Sequence, residues 1–70
     1  MEYHNPTLRV LRILELIDAN PGGISLTEVS DTLGLPKGTI SPILKTLVAT
    51  GYIRWRNSLY TTGPRTFELG

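Results

Sequence analysis

From Leu8 to Ile17 seven of ten positions are apolar, and only Arg9, Arg12 and Glu15 interrupt them. This run predicts an α-helix, opened by Asn5 as N-cap and by Pro6 at the first helical position, where a missing N–H costs nothing. Val10, Ile13, Leu14 and Ile17, at helical spacing, suffice for one core face. Leu8, Leu11 and Leu16 are then surplus and need a second surface. That surface is either another chain or the inside of a small bundle around a central helix, and the pattern leaves both open. Asn20-Pro21-Gly22-Gly23 stops the helix and forces a turn, after which Ile24 is a short extended residue. Ser25-Leu26-Thr27-Glu28 has the spacing of a capping box. A second helix follows with Leu26, Val29 and Leu33 on one face, and Gly34 supplies its left-handed stop.

Only Leu35 separates Gly34 from Pro36, which opens a third helix of about residues 36–50. Ile40, Ile43, Leu44, Leu47 and Val48 recur at i, i+3, i+4, i+7 and i+8 as a buried stripe, and Gly51 ends it. Two helices joined by so short a glycine-containing turn are a helix-turn-helix. Tyr52 to Thr62 alternates as a hairpin with Asn57-Ser58 as its two-residue turn, so Arg56 faces Leu59 and Trp55 faces Tyr60. Ile53, Trp55, Tyr60 and Thr62 share one face; Arg54 and Arg56 take the other, beside Tyr52. The predicted fold is mainly α with a small β-hairpin, a three-helix winged helix-turn-helix.

Composition narrows the function. Seventy residues make one domain, 1–70, with 40% apolar residues and no room for a second core or a deep catalytic cavity. There is no cysteine and a single histidine, His4, so thiolate and histidine-rich metal sites are excluded and no cofactor is expected. The longest apolar run is Leu47 to Ala49, too short for a membrane span, and the start lacks the regions of a signal peptide. A soluble cytoplasmic, nucleoid-associated domain is expected. The net charge of +1 conceals an asymmetry. Residues 1–31 hold two arginines against five acids, whereas residues 32–67 hold Lys37, Lys45, Arg54, Arg56 and Arg65 with no acid at all. An acid-free stretch with spaced cations is a surface suited to an anion, although a solvated face produced by chance has the same look.

Opposite its buried stripe the third helix carries Lys37, Gly38, Thr39, Ser41, Pro42, Lys45 and Thr46: small, hydroxylated or basic, never acidic. The B-DNA major groove admits one helix whose exposed groups hydrogen-bond to base edges without repelling phosphate. The helix N-terminus around Pro36-Lys37 offers N–H groups and a positive dipole end to a phosphate. Ser25 and Thr27 are placed to do the same on the adjacent strand, and Arg54, Arg56 and Asn57 on the hairpin to reach the flanking backbone or minor groove.

Asn5-Pro-Thr-Leu-Arg-Val-Leu-Arg-Ile-Leu-Glu-Leu, Pro21-Gly-Gly-Ile-Ser-Leu-Thr-Glu-Val, Gly34-Leu-Pro-Lys-Gly-Thr-Ile, Leu44-Lys-Thr-Leu-Val, Gly51-Tyr-Ile and the segment from Tyr60 to Gly70 fall in register along the chain. In these segments the chain resembles the N-terminal DNA-binding domain of IclR-type bacterial transcriptional regulators. The resemblance implies a DNA-binding winged helix that dimerises through its first helix by Leu8, Leu11 and Leu16. It also implies an effector-sensing domain beyond Gly70, with residues 63–70 starting the connection, so the chain is expected to be a DNA-binding piece of a longer regulator or a natural orphan of one. Three positions depart from the family pattern. Gly38 stands where the family usually has serine, Pro42 where it usually has arginine, and the wing tip is short. An interior proline loses the bond to Gly38 and costs about 3 kcal/mol unless the helix bends. Either the helix kinks or it restarts at Pro42 and spans roughly 42–50; a stripe that begins at Ile40 favours the kink.

Other residues have plainer readings. Trp55 is read as packing between wing and core, since base-stacking proteins usually expose several aromatics. Tyr52 and Tyr60 are read as structural and His4 as a disordered terminal residue. No paired carboxylate, histidine or cysteine stands near a nucleophile, so no enzyme is expected. The leading expectation is a homodimeric, sequence-specific regulator on a pseudo-palindromic double-stranded DNA operator, with no effector bound by this segment. The rival is a winged helix used for protein–protein contacts. Lys45→Ala with Arg54→Ala discriminates: DNA affinity unchanged and partner binding kept would favour the rival.

Overall fold

The computed structural model describes residues 2–65. In chain order these form α1 (Asn5–Asp18), α2 (Leu26–Leu33), α3 (Lys37–Ala49), β1 (Ile53–Arg56) and β2 (Leu59–Thr62), three helices and then an antiparallel hairpin. The winged helix-turn-helix follows as expected. The start of α1 differs by one residue: His4, not Asn5, is the N-cap, and Pro6 is the second helical residue. His4 is no loose end, because its Nδ1 lies 2.7 Å from Thr7 Oγ1. Proline fits either position, since neither amide has an intrahelical partner.

The connections are held by local hydrogen bonds. Asn20 Nδ2 donates to the Leu16 carbonyl at 2.7 Å and the Gly23 amide to the Asn20 carbonyl at 2.8 Å, which closes the end of α1. The expected capping box opens α2: the Glu28 amide donates to Ser25 Oγ, and Glu28 Oε1 accepts from the Ser25 amide. Gly34 ends α2 at φ 66°, and the Ser30 hydroxyl donates to the Leu35 carbonyl at 2.6 Å, tying the short turn to the helix it leaves.

α3 runs unbroken through Pro42, so the shorter helix from 42 is not adopted. Unwinding its first turn would expose Ile40, which is fully buried and contributes about 1.5–3 kcal/mol. It would also break the bonds from the Thr39 and Ile40 amides to the Pro36 carbonyl. Those losses together rival the cost of one interior proline. The core is aliphatic throughout: Ile13, Ile17, Ile24, Val29, Ile40, Leu44, Leu47 and Ile53. Val48 does not complete the stripe and is 36% exposed, because it lines an open groove between α3 and the hairpin.

In the hairpin Ile53, Arg54, Trp55 and Arg56 pair with Thr62, Thr61, Tyr60 and Leu59, the register that the sequence predicts. Asn57 and Ser58 both have positive φ, 54° and 63°, as a type I′ turn requires. An isolated bridge at Ile24 adds to the edge of the two-stranded sheet. The Ile24 amide donates to the Tyr60 carbonyl at 3.0 Å, and the Tyr60 amide to the Ile24 carbonyl at 2.8 Å. At the other end the Gly63 amide donates to the Tyr52 carbonyl at 2.9 Å. A Cβ on Gly63 would sit 2.5 Å from the Gly51 carbonyl oxygen, so only glycine fits this crossing.

Candidate nucleic-acid interface

The two helices of the helix-turn-helix present very different ends. At α2 the positive N-terminal end already has its anion, the Glu28 carboxylate, and Ser25 Oγ is engaged in the cap. Ser25 is half-buried, and of the two residues expected to meet phosphate here only Thr27 is exposed. At α3 the N-cap is Pro36, which has no side chain able to accept, and no carboxylate lies in the first turn. Pro36, Lys37 and Gly38 are all exposed. The space around Gly38 is open, with nothing within 4 Å of where a Cβ would stand.

Burial sorts the rest of α3. Gly38, Pro42, Lys45, Thr46 and Ala49 are exposed, on the side away from Ile40, Leu44 and Leu47. Thr39 and Ser41 are half-buried at the margins. The Thr46 hydroxyl donates to the Pro42 carbonyl at 2.9 Å. The outward ridge is therefore small and uncharged at Gly38, Pro42 and Ala49, with Lys37 and Lys45 as its cations. Pro42 also lines a hollow between α1 and α3 with Val10, Ile43, Thr46 and Leu47.

The hairpin turns one face to α3 and the other away. Trp55 and Tyr60 form a groove of about 360 Å³ with Lys45, Val48 and Ala49 of α3. Arg54, Arg56 and Asn57 are exposed and line a separate hollow with Gly22, Leu59 and Thr61, beside the turn that precedes α2. Neither arginine lines the groove that the hairpin makes with α3. Trp55 corrects the packing role expected of it: it is 58% exposed. The hairpin meets the core at Ile24 and at Ile53, the first residue of β1, with Tyr60 packed against it; Trp55, two residues nearer the tip, stands past the edge of the core. Alternation alone assigns it the face of Ile53 and says nothing of how far the core extends, so the sequence carries no direct signal of this exposure.

The three surplus leucines of α1 separate in the same way. Leu11 is 48% exposed, whereas Leu16 packs against the core. Leu8 is half-buried in a hollow shared with Asn5, Arg9, Arg12, Leu33 and Leu35. Part of the surplus is thus absorbed inside one chain, and Leu11 is the most exposed of the three.

Comparison with known proteins agrees with this architecture. A model of the IclR helix-turn-helix domain matches residues 6–57. The chain is 36% identical over 64 residues to the HTH-type transcriptional regulator XynR of Escherichia coli, covering 89% of this chain and 25% of that protein. It is 33% identical over 63 residues to the HTH-type transcriptional regulator Rv1719 of Mycobacterium tuberculosis, covering 87% and 24%. The chain thus spans about a quarter of the length of either relative. An IclR family transcriptional regulator from Brucella abortus superposes with a TM-score of 0.86 at 28% identity, over 99% of this chain and 27% of that one. No described helix is long and apolar enough to cross a membrane. A family model matched over most of the chain, on the helices and hairpin described above, establishes that the chain belongs to the IclR helix-turn-helix family.

Proposed function

We propose that this chain is the DNA-binding domain of a transcriptional regulator, with α3 as the helix that enters the major groove. The observation that carries the reading is the outward side of α3. It is exposed, free of acids and open at its N-terminus, and it lies within a 36-residue stretch, 32–67, that holds five cations and no carboxylate. Lys37 and the uncapped first turn bind phosphate, while Thr39, Ser41, Pro42 and Lys45 meet base edges and the neighbouring backbone. The hairpin tip at Asn57, with Arg54 and Arg56 behind it, lies on the flanking backbone. Thr27 adds a hydroxyl from α2; Ser25 contributes chiefly through the cap.

The regulator acts as a homodimer through α1, with Leu11 at the seam, on a pseudo-palindromic operator whose half-sites lie about one helical turn, 34–36 Å, or a multiple of it apart. The relatives that the chain matches are transcriptional regulators, which supports a domain that binds rather than catalyses. It works in the cytoplasm on nucleoid DNA; residues 63–70, of which 66–70 lie outside the described residues, are read as the start of a connection to an effector-binding domain, where the effector is sensed. Selection of bound sites from a random duplex pool, followed by titration in salt, tests the reading. With about 6–10 phosphates contacted per dimer, affinity should fall about 10³–10⁵-fold between about 50 and 200 mM salt. A flat salt response, with a partner protein still bound by a Lys45→Ala, Arg54→Ala double variant, would instead make the domain a protein-contact module. In the same assay Leu11→Glu should give monomers by light scattering; a variant that stays dimeric moves the seam elsewhere.

A further inference from the structure

We infer that the groove between α3 and the hairpin is a second nucleic-acid contact, in which Trp55 covers the apolar side of a deoxyribose while Lys45 holds the adjoining phosphate. The inference rests on the DNA-binding reading and extends it to a residue outside the recognition helix. Four observations support it. Trp55 is the largest exposed apolar side chain among the described residues, at 58%, and it stands directly across the hairpin from Tyr60. On the α3 side the groove is walled by the aliphatic Val48 and Ala49, and the rings of Trp55 and Tyr60 close the other side, so its occupant must offer mostly carbon surface, with the Tyr60 hydroxyl and the indole N–H as the groove's neutral polar groups. Its one charged lining group is Lys45, and no acid occurs anywhere from residue 32 to residue 67, so that occupant also carries negative charge. Lys45 belongs to the outward side of α3 as well, so the groove continues the face assigned to the major groove. A sugar–phosphate unit satisfies both demands at once, with its ring carbons on the indole and aliphatic walls and its anion on the ammonium. An acidic protein segment would bring a row of peptide N–H groups to a lining whose one neutral side-chain acceptor is the Tyr60 hydroxyl.

The chain has one tryptophan, so its emission reports this groove alone. A random-sequence duplex at about 50 mM salt, where non-specific binding is strong, is titrated into the 70-residue chain. The expected result is a change in Trp55 emission and loss of its quenching by acrylamide, in step with binding followed by a label on the duplex. Trp55→Ala, its fold checked by circular dichroism, should bind the duplex about fivefold or more weakly, whereas Trp55→Phe keeps most of the affinity. Binding of the duplex with Trp55 emission and quenching unchanged, or with Trp55→Ala as tight as the parent, overturns the inference and leaves the DNA-binding reading intact. An emission change that tracks protein concentration without DNA also overturns it, because a second copy then fills the groove. No duplex binding by any form overturns both.

Discussion

α2 and α3 sit side by side in one motif, yet one is finished and the other is left open. α2 satisfies itself: its first turn is capped by Ser25 and Glu28, its last by Gly34, and the Ser30 hydroxyl holds the following turn. α3 has no side-chain cap, an interior proline, a glycine in its first turn and exposed lysines. Local rules of helix stability are obeyed in α2 and broken in α3, the helix proposed to enter the groove. Departures from local consistency are expected at functional surfaces, where another requirement overrides them.

This contrast can be tested by repairing one helix and damaging the other. The largest effect is expected from Pro42→Ala, which restores an amide donor to the Gly38 carbonyl and should raise stability in urea unfolding by up to about 3 kcal/mol. A decrease would mean that the proline ring's contacts in the hollow with Val10 and Ile43 outweigh the missing bond. Next comes Ser25→Ala, expected to cost about 1 kcal/mol by removal of the cap while leaving duplex affinity where it was. Should it weaken duplex binding as strongly as a lysine loss on α3, the division of labour between the helices fails. Smallest in stability, within about 0.5 kcal/mol, is Lys37→Ala. Its effect should appear in binding instead, as weaker affinity and a salt slope reduced by about one.

Most of the fold was legible in the residues because its signals are local. Ser25 and Glu28 sit three apart, Gly34 needs a left-handed backbone, and Asn57-Ser58 lies midway between alternating strands; each element stands where those residues put it. The misses share one cause. Val48 and Trp55 have the right period for burial but lie past the edge of the core, and periodicity reports the direction of a side chain, not what covers it. Leu8 and Leu16 look superfluous along α1 alone; Leu16 packs against the core and Leu8 is half-buried beside Leu33 and Leu35, so the inside of the bundle takes part of the surplus. The Arg54 and Arg56 face followed from the hairpin register, but the separation of those residues from α3 depends on how the sheet is docked. The unbroken course of α3 through Pro42 was decided by Ile40, whose burial opposes unwinding.

The bridge from Ile24 to Tyr60 has a mechanical consequence. A hairpin of two four-residue strands has little standing of its own in water. By pairing β2 with the residue just ahead of the Ser25 cap, the chain fastens its wing to the threshold of α2 through two backbone hydrogen bonds of 3.0 and 2.8 Å. The tip is therefore not a free flap. A push on it travels along β2 into the frame that carries the helix pair, so wing and helices ride over a surface as one body.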